Sequence, residues 1–420
     1  MERMPGRLRH LYQEYHPLVW VLAGGTMFAR AASFMSLPFL ALYLARSSEL
    51  PPWLIGLVVG MGALAGTFGG FVGGYLSDRW GRGVVMVTTL YGWVVVFIGF
   101  ALATEVWMFL LLNTLNGLCR SFFEPTSQAL MADLTPPEKR MRVFGIRYMA
   151  INVGAALGPL IGAYLAWMSG TAAFWLTSAI YLAYAVVLTG LMTRYRAELS
   201  SQSGGADRIR VGEAFAVIRR DLALGFFILG GILGHIGYAQ NESNLPLHLD
   251  QLFGEHNAWY PTLLALNAVT VILLQMVITR WGEKRSILSN MMLGSGLLAA
   301  GLLFFAFGGS GWWFLAGMFI LTLGEILLFP SSSLFIDRLA PEHLRGTYFG
   351  ASNFRSIGFF IGPAMGGWML GEWGGMAMFT FVAVIAGGGA VFFWWGHRAW
   401  LRQQAAKAKD APLPQAFVGK

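Results

Sequence analysis

The chain has 420 residues, of which 56% are hydrophobic and 12% charged, and its mean hydropathy is +0.58. Soluble domains carry roughly 25% charged residues, so this composition excludes a water-facing exterior and requires lipid over much of the surface. The net charge is +8, and a single cysteine, Cys119, excludes a disulfide framework or a cysteine metal cluster within the chain.

Apolar runs of roughly 20 residues read as membrane-crossing helices. In chain order they lie near 17–44, 53–77, 84–104, 107–133, 143–167, 172–194, 222–248, 258–279, 286–308, 311–337, 346–370 and 374–397. The first run is too long for a signal h-region, so no cleavable signal is expected. Six spans precede the polar stretch 195–221 and six follow it. That stretch, with Ser200-Ser201-Gln202-Ser203-Gly204-Gly205, reads as the one long linker, and residues 211–220 as a short amphipathic helix on the membrane surface. The expected architecture is an all-α integral membrane protein of twelve transmembrane helices in two six-helix pseudo-repeat halves. These are 1–194 and 222–397, joined by the linker 195–221 and followed by a basic tail, 398–420.

Charge sets the orientation. Of the 29 Lys and Arg residues, 24 lie at the termini or in the even-numbered loops. Only Arg46 lies in an odd-numbered loop; Arg30, Arg120, Arg147 and Arg355 fall inside spans. The positive-inside rule therefore puts both termini and the linker in the cytoplasm of a cell (plasma or inner) membrane. Trp53, Trp107, Trp167, Trp259, Trp312, Trp313 and Trp373 gather at the opposite ends, as an outer aromatic belt. The positive charge faces a lipid leaflet, and no nucleic-acid partner is expected.

The halves repeat one another. Gly154, Gly158, Pro159 and Gly162 form the frame G-x-x-x-G-P-x-x-G, which returns 204 residues later at Gly358, Gly362, Pro363 and Gly366. Glycines four apart present one small face for close helix contact, and proline bends the helix by removing a backbone hydrogen bond. Asp133 and Asp337 end the fourth and tenth spans, again 204 apart, and Arg79-Trp80-Gly81 recurs as Arg280-Trp281-Gly282. Paired repeats with interrupted helices are a mark of secondary transporters.

Several charges fall where a bilayer makes them costly. Arg30, Arg120, Glu124, Glu325 and Arg355 lie near the middle of their spans, with His235, Tyr238, Asn241 and Glu242 along the seventh. A charge at the bilayer centre costs roughly 2.5–3.5 kcal/mol on insertion scales, so these groups should face a central cavity. Arg120 and Glu124 are one turn apart and can pair. Glu325 has no charged neighbour within a turn of its own helix, which suits a carboxyl that takes up and releases a proton. Glu325, Glu242 and Glu124 are the candidate proton-coupling acids. Arg30, Arg120, Arg355, Tyr238, His235 and Asn241 are the candidate substrate ligands. The three arginines either bind an anionic solute together or neutralise Glu124 and Glu325.

The loop after the second span, Gly74-Tyr75-Leu76-Ser77-Asp78-Arg79-Trp80-Gly81-Arg82-Gly83, resembles motif A of the major facilitator superfamily, departing at Gly83, where a basic residue is usual. The frame at Gly154–Gly162 resembles motif C of its twelve-helix drug:proton antiporters. The stretches Thr322–Ser331 and Glu242–Leu249 resemble the LmrP-like multidrug members, although Arg147 stands where an acid is expected there. Motif B fits poorly, since its arginine would fall at Asn113 and the helix instead carries Arg120. The resemblance implies proton-coupled efflux of amphipathic or cationic small molecules by alternating access. Asp78, Arg79, Arg82 and Asp133 would form a conformational latch, with Asp78 capping a helix of the other half. The alternative is a proton-coupled carrier of an anionic metabolite, peptide-like solute or siderophore, using Arg30, Arg120 and Arg355. No cofactor or metal is expected, the proton gradient serving as energy source, and a monomer is expected. There is no HExxH, no Cys/His cluster and no Walker-type ATP site, so an enzyme is not expected.

Overall fold

The computed structural model describes residues 14–47, 52–168, 171–195, 216, 219–254 and 259–410. Most of the linker 195–221, including Ser201 and nearly all of the expected surface helix at 211–220, lies outside the described residues. So does the tail beyond 410. The side chains of Trp53, Pro159 and Trp167 are likewise outside them.

The helices are α1 Pro17–Ser47, α2 Pro52–Trp80, α3 Arg82–Leu102, α4 Val106–Asp133, α5 Arg140–Met168 and α6 Ala172–Arg194. Then come α7 Leu222–Phe253, α8 Trp259–Glu283, α9 Ile287–Phe307, α10 Gly311–Leu339, α11 Arg345–Ser352 and α12 Ile357–Asp410. Among the described residues, nine stretches are long and apolar enough to cross a membrane. The last, 342–405, holds two spans separated at Gly374, whose φ of 76° reverses the chain. With α2 and α5, each 29 residues long, the twelve expected spans are present. The described residues contain no strand.

Local signals set the helix ends. Asp221 accepts the backbone N–H groups of Ala223 and Leu224 at 3.0 and 3.2 Å to start α7, and Ser286 accepts that of Ser289 at 3.1 Å to start α9. Gly81, at φ 95°, makes the one-residue turn between α2 and α3. Two expectations change. The eleventh span is interrupted by a 3₁₀ turn at Asn353–Ser356, where the Arg355 Nε–H donates to Ser352 O at 2.8 Å. The last helix continues to Asp410 rather than ending near 397. Its extension is held to the C-terminal half by Trp400 against Phe335 and by Gln403 donating to Asp221 at 3.1 Å.

Each half has its own apolar core. One is built from α1 to α6, around Leu22, Phe97, Phe174 and Tyr181. The other is built from α7 to α12, around Phe227, Phe305, Phe314 and Phe379. The second core also takes in Tyr75, Ala132, Met141 and Phe144 from the first half. All four lie toward the helix ends that carry the basic loops, so the halves are packed together on that side. Trp107, Trp312 and Trp373 are exposed at the opposite ends, where apolar rings face lipid.

Candidate functional site

The contact between halves is built from backbone first. Gly70 and Gly74 on α2 face Gly350 and Gly346 on α11. A Cβ on Gly74 would strike the Gly346 carbonyl, and one on Gly350 would strike the Gly70 carbonyl. This approach places Asp78 at the start of α11, whose first N–H groups have no cap from their own side chains. Asp78 accepts the N–H of Gly346 at 3.0 Å and that of Thr347 at 2.6 Å, and the Thr347 hydroxyl at 2.6 Å. Arg82 donates to Asp78 and, at 3.1 Å, to Asp133. Arg79 does not bond to Asp78, Asp133 or the start of α11; it is exposed and donates to Tyr75 on its own helix at 3.0 Å.

Around this centre the repeat exchanges charges. Arg345, at the start of α11, donates to Asp133 at the end of α4, 2.6 Å away. Arg140, at the start of α5, donates to Asp337 near the end of α10 at 2.8 Å. Arg345 also lies 3.0 Å from Asp337. A further bridge joins Arg142 to both Glu283 oxygens at 3.1 and 2.8 Å. Arg140, Arg142, Asp337 and Arg345 were not singled out as latch residues from sequence. Their legible signal was the recurrence of an arginine seven or eight residues after each helix-ending aspartate.

The two glycine frames clasp equivalent helices. A Cβ on Gly154 would meet Met27 O and the Arg30 side chain, and one on Gly158 would meet Ala31 O. A Cβ on Gly358 would meet Ile232 O and the His235 side chain, and one on Gly362 would meet Ile236 O. The pseudo-twofold therefore maps Arg30 onto His235. Gly162 is buried in α5. Beside Gly366, Gln240 donates to Gly362 O at 2.9 Å and Asn244 to Pro363 O at 3.3 Å.

The intramembrane charges form two separate groups. In the first half Glu124 accepts from Arg30 at 2.5 Å and from Arg120 at 3.2 Å, both through Oε1. In the second half Arg355 sits beside His235, its guanidinium 5.0 Å from the Phe227 ring. His235 uses Nδ1 on Gly231 O at 2.7 Å. The three arginines thus do not converge: the 3₁₀ turn keeps Arg355 against α7, away from Arg30 and Arg120. Nor, among the described residues, does an arginine pair with Glu325. That carboxyl is fully buried and is bonded by neutral donors, Tyr148 at 2.9 Å and Asn267 at 3.1 and 3.2 Å. Thr322 positions Asn267 by accepting from it at 2.9 Å. Because Tyr148 belongs to α5, the Glu325 contact crosses between halves. Tyr238 stands edge-on to Phe329 and Phe359. Asn241 is buried with its Oδ1 lacking a hydrogen bond. Glu242 is exposed and has no ion pair among the described residues.

Comparison with known proteins gives the family and the fold. The family described as Major Facilitator Superfamily matches residues 22–356. The chain is 36% identical over 358 residues to the uncharacterised MFS-type transporter YqjV of Bacillus subtilis (strain 168), covering 85% of this chain and 87% of that one. It is 29% identical to a Na(+), Li(+), K(+)/H(+) antiporter of Planococcus maritimus, covering 89% and 94%. Among solved structures it is similar to FucP in an outward conformation, at a TM-score of 0.75 and 15% identity, covering 92% of this chain and 99% of that one.

Proposed function

The chain belongs to the major facilitator superfamily and is a multi-pass membrane transporter, not an enzyme; we propose that it is a proton-driven exporter of amphipathic small molecules. The observation that carries this reading is Glu325, fully buried and bonded across the halves by Tyr148, with no cation beside it among the described residues. The charge on such a carboxyl is tied to whether water reaches it, because an ion away from water is costly unless paired. Its protonation and the packing of α5 against α10 are therefore one event. The named antiporter relative and the motif C resemblance support exchange rather than symport.

In this reading the basic side is cytoplasmic, and the contacts of Asp78 and of the arginine–aspartate pairs support a state closed on that side. A proton from outside loads Glu325, the latch parts, and solute enters from the cytoplasm. Return of the proton inward drives the cycle, each charge contributing ~2.3 kcal/mol per 100 mV of potential. Protons and a small-molecule solute are the only partners this scheme needs, in a monomer and without a cofactor. The test is Glu325→Gln in proteoliposomes. Proton-driven solute accumulation is expected to be lost while downhill exchange persists. Intact proton-driven accumulation by Glu325→Gln would remove Glu325 from the coupling step.

A further inference from the structure

The first-half cavity holds three guanidiniums to one carboxylate. Arg30, Arg120 and Arg147 line it with Glu124. One oxygen of Glu124 serves both Arg30 and Arg120. Arg147 has no ion pair among the described residues, and its buried Nε–H has no hydrogen-bond acceptor. Ser127, in the same cavity, is also buried with its hydroxyl unmatched. Buried donors without acceptors are rare and each calls for an explanation. Here two of them line one cavity that already has an excess of positive charge. The rest of the wall is Thr26, Ala29 and Ser33 together with three aromatic rings: Trp93 stacked on Tyr181 at 4.6 Å, with Phe123 beside Trp93 at 5.6 Å.

We infer that this cavity receives an organic carboxylate, which docks on Arg147 and Ser127 and competes with Glu124 for Arg30 and Arg120. The inference rests on the export reading and names its substrate class: an amphipathic solute whose apolar part lies against Trp93 and Phe123 and whose charged part is an anion. The carboxylate side chain of Glu124 is then an internal placeholder. It keeps Arg30 and Arg120 paired while the cavity is empty and yields them when the ligand's own carboxylate arrives. Planar, forked guanidiniums match a carboxylate bidentately, which an amphipathic cation cannot exploit. The lone Arg147 fork supplies the site that no protein acid occupies.

The test is thermal unfolding of the full chain in detergent at constant ionic strength, without any proton gradient. The probes are benzoate, 1-naphthoate and 4-phenylbutyrate, against tetraphenylphosphonium as the cationic control. Saturable stabilisation by at least one carboxylate, and none by tetraphenylphosphonium, is expected. Arg147→Gln should raise the half-saturating concentration at least tenfold. Glu124→Gln, which removes the internal competitor, should lower it or leave it unchanged. Arg147→Lys, which keeps the charge but loses the fork, should also weaken binding, and it serves if Arg147→Gln does not elute as a single species. Stabilisation by tetraphenylphosphonium alone, by none of the carboxylates at millimolar concentration, or equally in wild type and both Arg147 variants would overturn the proposal. Glu325→Gln should bind the carboxylate as wild type does. Carboxylate binding without Glu325-dependent proton coupling in proteoliposomes would sink the export reading and leave the anion site standing.

Discussion

Asp78→Asn tests whether one carboxylate holds the basic side shut. The wild-type oxygens accept two backbone N–H groups and a hydroxyl at the start of α11, besides the Arg82 guanidinium. Asparagine keeps one oxygen, so at least one of those backbone donors faces an amide NH₂ instead. Hydrogen bonds to a charged acceptor contribute about 1.5–3 kcal/mol each. A carboxylate at a helix N-terminus contributes a further ~0.3–1 kcal/mol. Arg82 retains Asp133, which limits the loss on that side. The locked state should therefore weaken by about 2–4 kcal/mol relative to the open one. That is roughly a 30- to 700-fold change in their ratio, since each 1.4 kcal/mol is tenfold. A resting ratio of about 99:1 would fall to somewhere between about 3:1 and about 1:7. Spin labels at Glu138→Cys and Lys284→Cys, in a Cys119→Ala background, sit on exposed loops of opposite halves. Double electron–electron resonance should show a second, longer distance in Asp78→Asn. Loss of transport with an unchanged distance distribution would refute the capping argument and assign Asp78 some other task.

Gly350→Val should open the same side without unfolding the protein, because its added carbons meet the Gly70 backbone, which cannot rotate away; the same label pair reads the outcome, and an unchanged distance counts against the contact. Arg140→Asp should destabilise the locked state by less than the ~3–5 kcal/mol of an uncompensated buried charge, since Asp337 gains a like-charged neighbour but keeps Arg345 at 3.0 Å. Adding Asp337→Arg should recover only part of the lost transport, since Arg140 also donates to the carbonyls of Ala132 and Thr135; no recovery at all would mean the pair is not coupled. Ser201→Cys in the Cys119→Ala background should resist a membrane-impermeant maleimide added to intact cells, and rapid labelling from outside would reverse the assigned orientation.

The span pattern was legible because membrane helices announce themselves by uninterrupted apolar length, and the repeat because glycine and proline frames survive where backbone contact leaves no alternative. The break at Asn353–Ser356 was not legible. It depends on Arg355 reaching a carbonyl of its own helix, a side-chain choice with no periodic trace. The separation of Arg355 from Arg30 and Arg120 was hidden for a similar reason: depth along a span says nothing about which half a side chain faces. Glu325 stood out as a lone acid, but Tyr148 and Asn267 did not, since neutral donors on other helices carry no signal in the sequence. Arg79 was drawn into the latch by its neighbours in the motif, although its guanidinium bonds to Tyr75 of its own helix instead.

The exchange of Arg140 with Asp337 and of Arg345 with Asp133 has the form of an isologous interface, in which residue i of one unit meets j of the other and j meets i. Such reciprocity is what two identical six-helix subunits would make about a dyad, each supplying the same acid and the same base. Joining the halves in one chain then fixes stoichiometry and pairs unlike halves. That leaves the interface free to stay symmetric while the interiors diverge, with arginine at position 30 and histidine at its mate, 235. A chain cut within residues 200–205 and produced as two fragments should reassemble through these four charges. A first half expressed alone already carries both members of the pair and is a candidate for self-association.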